Sequence, residues 1–163
     1  MQKKMAGFTL IELMVTIAVA AILLTIGIPS LVSLYEGMRV NNNITKIHDI
    51  MAFARNQAVS YGTTVNVCPF ATATSCGTGK DWSKGVRVYI ATGNKELRVI
   101  DGFHTNDKVK GPADSLTFSP DGLSSGGIFN YCPEGKAAES KGVIVNVGGV
   151  ISYGANGDSC VIN

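Results

Sequence analysis

Four cysteines and one glutamate are the side chains whose placement most suggests chemistry. Cys68, Cys76, Cys132 and Cys160 all lie beyond a long apolar run. An even count in a small exported domain reads as two disulfides, and sequence alone allows three pairings. The preferred one joins Cys68 to Cys76, closing a short polar loop, and Cys132 to Cys160, tying the C-terminus back to a strand. Zinc would need ligand spacings that are missing: there is no C-x-x-C, and neither His48 nor His104 stands near a cysteine. Glu12 opens the apolar run, in which the 23 residues Leu13 to Tyr35 carry no charge. A carboxylate beside a membrane-length apolar helix is costly, which marks the position as functional.

Other constellations carry less. His48 adjoins Asp49, but neighbouring helical residues point in different directions, so His48 reads as a surface histidine. With two histidines in all, no Ser/His/Asp triad is favoured. Gly122–Gly127 opens no helix after a strand and so is no phosphate loop. Trp82 beside Ser83 reads as packing over a sheet edge rather than as a ligand platform. Asn156-Gly157-Asp158 offers one carboxylate, too few for calcium. The expectation is a protein that is not an enzyme, with no metal and no cofactor.

The elements that position these residues follow from periodicity. A helix of 23 residues is about 35 Å long, against a hydrocarbon core of roughly 30 Å. Lys3 and Lys4 precede the run and Glu36 follows it, which puts the N-terminus in the cytoplasm and the rest outside. An ordinary secretory signal would need a small-residue site after the run, whereas Ala18-Val19-Ala20 lies inside it. Pro29, with Gly27 just before, predicts a kink or a locally melted turn near residues 25–30. Past Glu36 the helix becomes amphipathic: Val40, Ile44, Ile47, Met51, Ala54 and Ala58 fall on one face. Gly62 is its predicted stop.

After Gly62 the period changes to two. Strands are predicted at Thr63–Cys68, Gly85–Ala91, Glu96–Ile100, Leu116–Ser119, Ile128–Cys132, Gly142–Val147 and Val150–Tyr153. Thr92-Gly93-Asn94-Lys95 predicts a hairpin turn, Gly148-Gly149 a two-residue one, and Ser119-Pro120-Asp121-Gly122 a further turn. No repeat or second domain appears.

Gly7-Phe8-Thr9-Leu10-Ile11-Glu12-Leu13, with Pro29 further on, resembles the class III signal of type IV pilins and type II secretion pseudopilins. That resemblance implies cleavage between Gly7 and Phe8 by a prepilin peptidase and N-methylation at Phe8. It implies that Glu12 neutralises the terminal amine of a neighbouring subunit during assembly, and burying either charge alone would be costly. Residues 1–7 would be the leader, 8–35 the transmembrane and assembly helix, and 36–163 a periplasmic head that includes the second half of the helix. Removing the leader discards Lys3 and Lys4 and leaves twelve basic against twelve acidic residues.

The head resembles the FimU, FimT and GspH class of minor pilins and pseudopilins. Ala54-Arg55-Asn56-Gln57-Ala58-Val59 is similar to the helix end of that class. Val65-Asn66-Val67-Cys68 and Asp81-Trp82-Ser83-Lys84-Gly85-Val86-Arg87-Val88 resemble its first strand and W-S-x-G turn, and Leu116–Gly122 its F-x-P-x-G turn. The implied fold is the α+β pilin fold. A long N-terminal helix, membrane-spanning and then amphipathic, packs on an antiparallel sheet or small β-sandwich with two disulfides. Cys68-Pro69 and Tyr131-Cys132-Pro133 resemble the pilus branch more than the secretion branch. The implied function is a minor pilin that initiates a pilus or connects a tip complex to the fibre; the alternatives are a secretion pseudopilin or a DNA-binding pilin. Implied partners are other major and minor pilins, the prepilin peptidase, an inner-membrane assembly platform and, before assembly, inner-membrane lipid. DNA-binding relatives use a Gly-Arg-x-Arg stretch near the C-terminus. Here that place reads Gly157-Asp158-Ser159-Cys160, and Gly85-Val86-Arg87-Val88 supplies one arginine. Phosphate binding needs several cations together, so nucleic acid is not an expected partner.

Overall fold

The computed structural model describes residues 9–161. By compactness the chain divides into a unit ending at Met38 and a unit running from Arg39; the boundary read from charge lies at 35/36. Helix α1, Leu10–Tyr61, contributes to both.

In the first unit every large apolar side chain from Leu10 to Met38 is more than half exposed. None of the described residues covers them. Residues 25–30 are helical throughout, so the melted turn expected around Gly27 and Pro29 is absent in the chain by itself. Proline removes one intrahelical donor, and the flanking turns keep the helix. The hydroxyls of Thr25 and Ser33 donate back to the preceding turn, to Ile22 O and Ser30 O at 2.7 and 2.9 Å, a bond that competes with rather than adds to the backbone ladder.

In the second unit α1 buries the six residues of its predicted stripe, from Val40 to Ala58, together with Ile50. The helix ends as a Schellman motif: Thr63 N donates to Ala58 O and Gly62 N to Val59 O. Gly62 takes φ +60°, which a Cβ would disfavour.

Among the described residues eight strands follow: β1 (Val65–Pro69), β2 (Val86–Ile90), β3 (Lys95–Ile100), β4 (Lys108–Lys110), β5 (Leu116–Phe118), β6 (Gly127–Cys132), β7 (Lys141–Val145) and β8 (Ile151–Gly154). They form two antiparallel sheets, ordered β3-β2-β1-β5 and β4-β6-β7-β8. Alternate residues turn inward: Val65 and Val67, Val86 and Val88, Leu116 and Phe118, Phe129 and Tyr131, Val143 and Val145. These pack with Ile47, Met51 and Ala54 of α1 into one core.

In the β head, three further expectations need correction. Strand β4 was not predicted, because Val109 is its one apolar residue and two lysines flank it; the strand exists through its pairing to β6. The β7–β8 turn has three residues, not two. Asn146 N bonds to Val150 O and Gly149 N to Asn146 O, with positive φ at Gly149 but not at Gly148; a two-residue type I′ turn needs it at both. A Cβ on Gly149 would lie 1.9 Å from Gly122 O, so only glycine fits. The third correction is that most strand ends shift by a residue or two, since turns set them rather than side-chain pattern.

Candidate assembly site

The cleavage and methylation positions, Gly7 and Phe8, lie outside the described residues. Helix α1 begins beside them with a reciprocal cap. Glu12 N donates to Thr9 Oγ1 at 3.4 Å, and Thr9 N donates to Glu12 Oε2 at 3.5 Å. This is a capping box, Thr-x-x-Glu, closed by long hydrogen bonds. Sequence reasoning missed it, although the Thr9-to-Glu12 spacing is its signature. Glu12 therefore finishes the helix N-terminus while its carboxylate stays exposed among apolar residues.

At the start of the second unit a polar clamp holds α1. Asp107, buried before β4, accepts from Arg39 Nη2 at 3.3 Å, from Glu134 N at 2.9 Å and from the Tyr131 hydroxyl. Asn43 Nδ2 donates to the Tyr131 oxygen at 2.8 Å. Burial, and the Asp107 carboxylate beside it, raise the Tyr131 pKa above the ordinary phenol value. Lys141 Nζ donates to Asn41 Oδ1. Arg39, Asn41 and Asn43 are thus each tied to a different strand or loop, with Val40 and Ile44 buried among them.

The cysteines pair as Cys68–Cys76 and Cys132–Cys160, with none free. Trp82 is fully buried rather than over an edge; its Nε1 donates to Pro112 O at 3.0 Å, and Phe129 meets its ring edge-on. His48 does reach Asp49, at 3.2 Å, and stacks on Tyr153 with ring centres 4.7 Å apart. Among the described residues no group of three His, Cys, Asp or Glu could hold a metal, Asp158 included. Arg87 is buried, its guanidinium engaged by two loops. The helix-end and F-x-P-x-G motifs meet: Arg55 Nε donates to Gly122 O at 3.0 Å.

A long helix, its first half uncovered and its second half clamped to a two-sheet, twice-stapled head, defines a pilin-type subunit. Comparison with known proteins narrows this. Residues 43–149 match the family described as type II transport protein GspH, and residues 2–28 match the prokaryotic N-terminal methylation motif. The chain belongs to the GspH family, whose fold the minor pilins and pseudopilins share. The type IV minor pilin FimU of Pseudomonas aeruginosa strain PAO1 is 20% identical over 75% of this chain and 95% of its own, with a TM-score of 0.62. A second crystal form of FimU gives 22% identity, 74% and 99% coverage, and a TM-score of 0.59. The minor pseudopilin EpsH from the type 2 secretion system of Vibrio cholerae is 12% identical over 74% of this chain and 99% of its own, with a TM-score of 0.55. Among curated proteins, none matches the chain in sequence.

Proposed function

We propose that the chain is a minor pilin of a type IV pilus and that its work is assembly, not catalysis. The observation that carries this reading is the uncovered helix. Side chains such as Leu10, Ile26 and Leu31 are 77%, 71% and 67% exposed, a surface that water does not tolerate at this size. Lipid covers it before assembly, with the N-terminus cytoplasmic and the head periplasmic; neighbouring pilins cover it afterwards. Prepilin peptidase cuts between Gly7 and Phe8 and methylates Phe8. Glu12 then pairs with a neighbour's amino terminus as the assembly platform inserts the subunit, where it helps initiate the fibre or join a tip complex to it. The pilus branch is favoured by Cys68-Pro69 and Tyr131-Cys132-Pro133, which stand at the disulfide-bearing ends of β1 and β6.

The second reading, a pseudopilin of a type II secretion system, is favoured by the GspH family match. Deleting the gene separates the two. Loss of surface pili with secretion intact supports the first reading. Normal piliation with retained secretion substrates in the periplasm overturns it in favour of the second.

A further inference from the structure

Strand β1 meets β2 with Cys68 directly opposite Arg87. Residues paired in this way send their side chains to the same face, so the Cys68–Cys76 disulfide and the guanidinium share one side of the sheet. Arg87 is the one charged residue of β2 and is 1% exposed. Its Nη1 lies 4.0 Å from Cys76 Sγ. The other bonds from Nη1 and Nη2 go to Asn94 Oδ1 at 3.1 Å and Asn94 O at 3.3 Å, both uncharged. Glu96, its acidic partner, is a long 3.4 Å away on the Nε side and 37% exposed. Asp81 and Lys84 line the cleft beside Gly77 with opposite signs. Cys76 therefore stands beside a buried cation whose charge is only partly matched.

The second disulfide has opposite surroundings. Cys132 Sγ lies 3.6 Å from Asp158 O, and Cys160 Sγ lies 3.3 Å from Asn130 O. A carbonyl oxygen disfavours negative charge on sulfur, whereas a guanidinium favours it. Exposure runs the same way: Cys68, Cys132 and Cys160 are buried, and Cys76 is not. A disulfide opens more readily where the thiolate it yields is stabilised, because that favours the reduced form. Neither Cys68 nor Cys76 packs in the core cluster, so opening their bond frees the exposed loop tip at 71–75 and leaves the core in place.

We propose that Cys68–Cys76 is a thiol–disulfide exchange site, opened by a dithiol reductant at Cys76 while Cys132–Cys160 stays closed, and that Arg87 sets this order by holding the released Cys76 sulfur as a thiolate. One thiolate of the dithiol attacks Cys76 Sγ. The S–S bond breaks, and Cys68 leaves with the electron pair and takes the proton of the dithiol's second thiol. That second thiolate attacks the dithiol's own sulfur in the mixed disulfide. The dithiol is thereby oxidised to a disulfide, and Cys76 leaves as a thiolate beside Arg87. The exchange holds for either reading of the assembly that the subunit enters.

The test equilibrates the detergent-solubilised full-length chain at about pH 8 with mixtures of reduced and oxidised dithiothreitol, near the ordinary thiol pKa. Free thiols are trapped by alkylation and located by mass spectrometry. Cys68 and Cys76 should be half reduced at a reduced-to-oxidised ratio about tenfold below that for Cys132 and Cys160, a difference of about 30 mV. Arg87→Gln should need about tenfold more reductant at Cys68–Cys76 than Arg87→Lys, which keeps the charge. A part in holding the loop alone predicts no such difference, since both variants lose the planar fork. In the wild-type chain opened at this bond, iodoacetamide at about pH 6 should alkylate Cys76 about fivefold faster in the folded protein than in urea; shielding by the fold would make it slower. Both disulfides opening at one ratio, Cys132–Cys160 opening first, equal ratios for the two Arg87 variants, or slower alkylation in the folded chain overturns the proposal.

Discussion

The Tyr131 hydroxyl donates to the buried carboxylate of Asp107, and through that pair the head grips its helix. Asp107 also holds Arg39, whose side chain is 18% exposed while that of Asp107 is fully buried. Removing one member of such a pair leaves the rest desolvated without a partner. Asp107→Ala should therefore destabilise the head by about 3 kcal/mol, read as a drop in the urea midpoint of the detergent-solubilised chain. A loss below about 1 kcal/mol, the range of an ordinary surface pair, would reject the clamp.

The same pair predicts an alkaline limit. Burial disfavours the phenolate of Tyr131, and Asp107 keeps its proton in place, so its pKa in the folded state lies above the ordinary 10.0. For a raised pKa the stabilisation is fully present below the unfolded value and is lost as pH climbs past it. Wild-type stability should fall above pH 10 by up to about 1.4 kcal/mol per pH unit for this one proton. Tyr131→Phe should start weaker at pH 7 yet decline less steeply above pH 10. Parallel decline in both proteins would exclude Tyr131 as the titrating group.

The two staples should differ in worth. Cys132–Cys160 spans 28 residues and Cys68–Cys76 spans 8. By loop-closure entropy, opening the longer one costs about 3.5 kcal/mol and the shorter about 2.5 kcal/mol. Chemical denaturation of the two double Cys→Ser variants measures both. The order is the prediction, and a larger loss for the 68/76 variant contradicts it.

The capping by Thr9 and Glu12 and the charge pairing proposed for Glu12 can be separated by substitution. Thr9→Ala removes the cap, a loss of about 1 kcal/mol in helix stability, but keeps the carboxylate. Glu12→Ala removes the carboxylate and its bond from Thr9 N, but keeps the bond from the residue-12 N–H to Thr9 Oγ1. Immunoblots of sheared fibres and of membranes should show both variants processed to the mature length. Thr9→Ala should enter fibres and Glu12→Ala should stay in the membrane. Equal incorporation of the two would remove the charge-pairing role.

Much of the fold was legible because its causes are local. The apolar run, the four-and-three stripe from Val40 to Ala58 and the change to alternation after Gly62 each report a period, and each period specifies an element. Strand β4 was hidden because a three-residue strand with one inward residue has no period to read. The three-residue β7–β8 turn was misread because the sequence names two glycines without saying which one must accommodate Gly122. The capping box is legible in the Thr-x-x-Glu spacing of Thr9 and Glu12.

What the sequence by itself determined is the order of parts: an apolar helix headed by one carboxylate, an amphipathic continuation, and a glycine-punctuated β head with an even set of cysteines. Those follow from side-chain type and spacing along a few turns or strands. Only the tertiary structure decided which polar groups meet. Arg39 finds Asp107, Arg55 finds Gly122, and Arg87, between two core valines, is turned to the opposite face of its strand and closed under two loops. Such contacts join residues up to 100 positions apart, as between Asn41 and Lys141. They depend on sheet order and register, and these are settled by burying the whole core at once rather than by any local pattern.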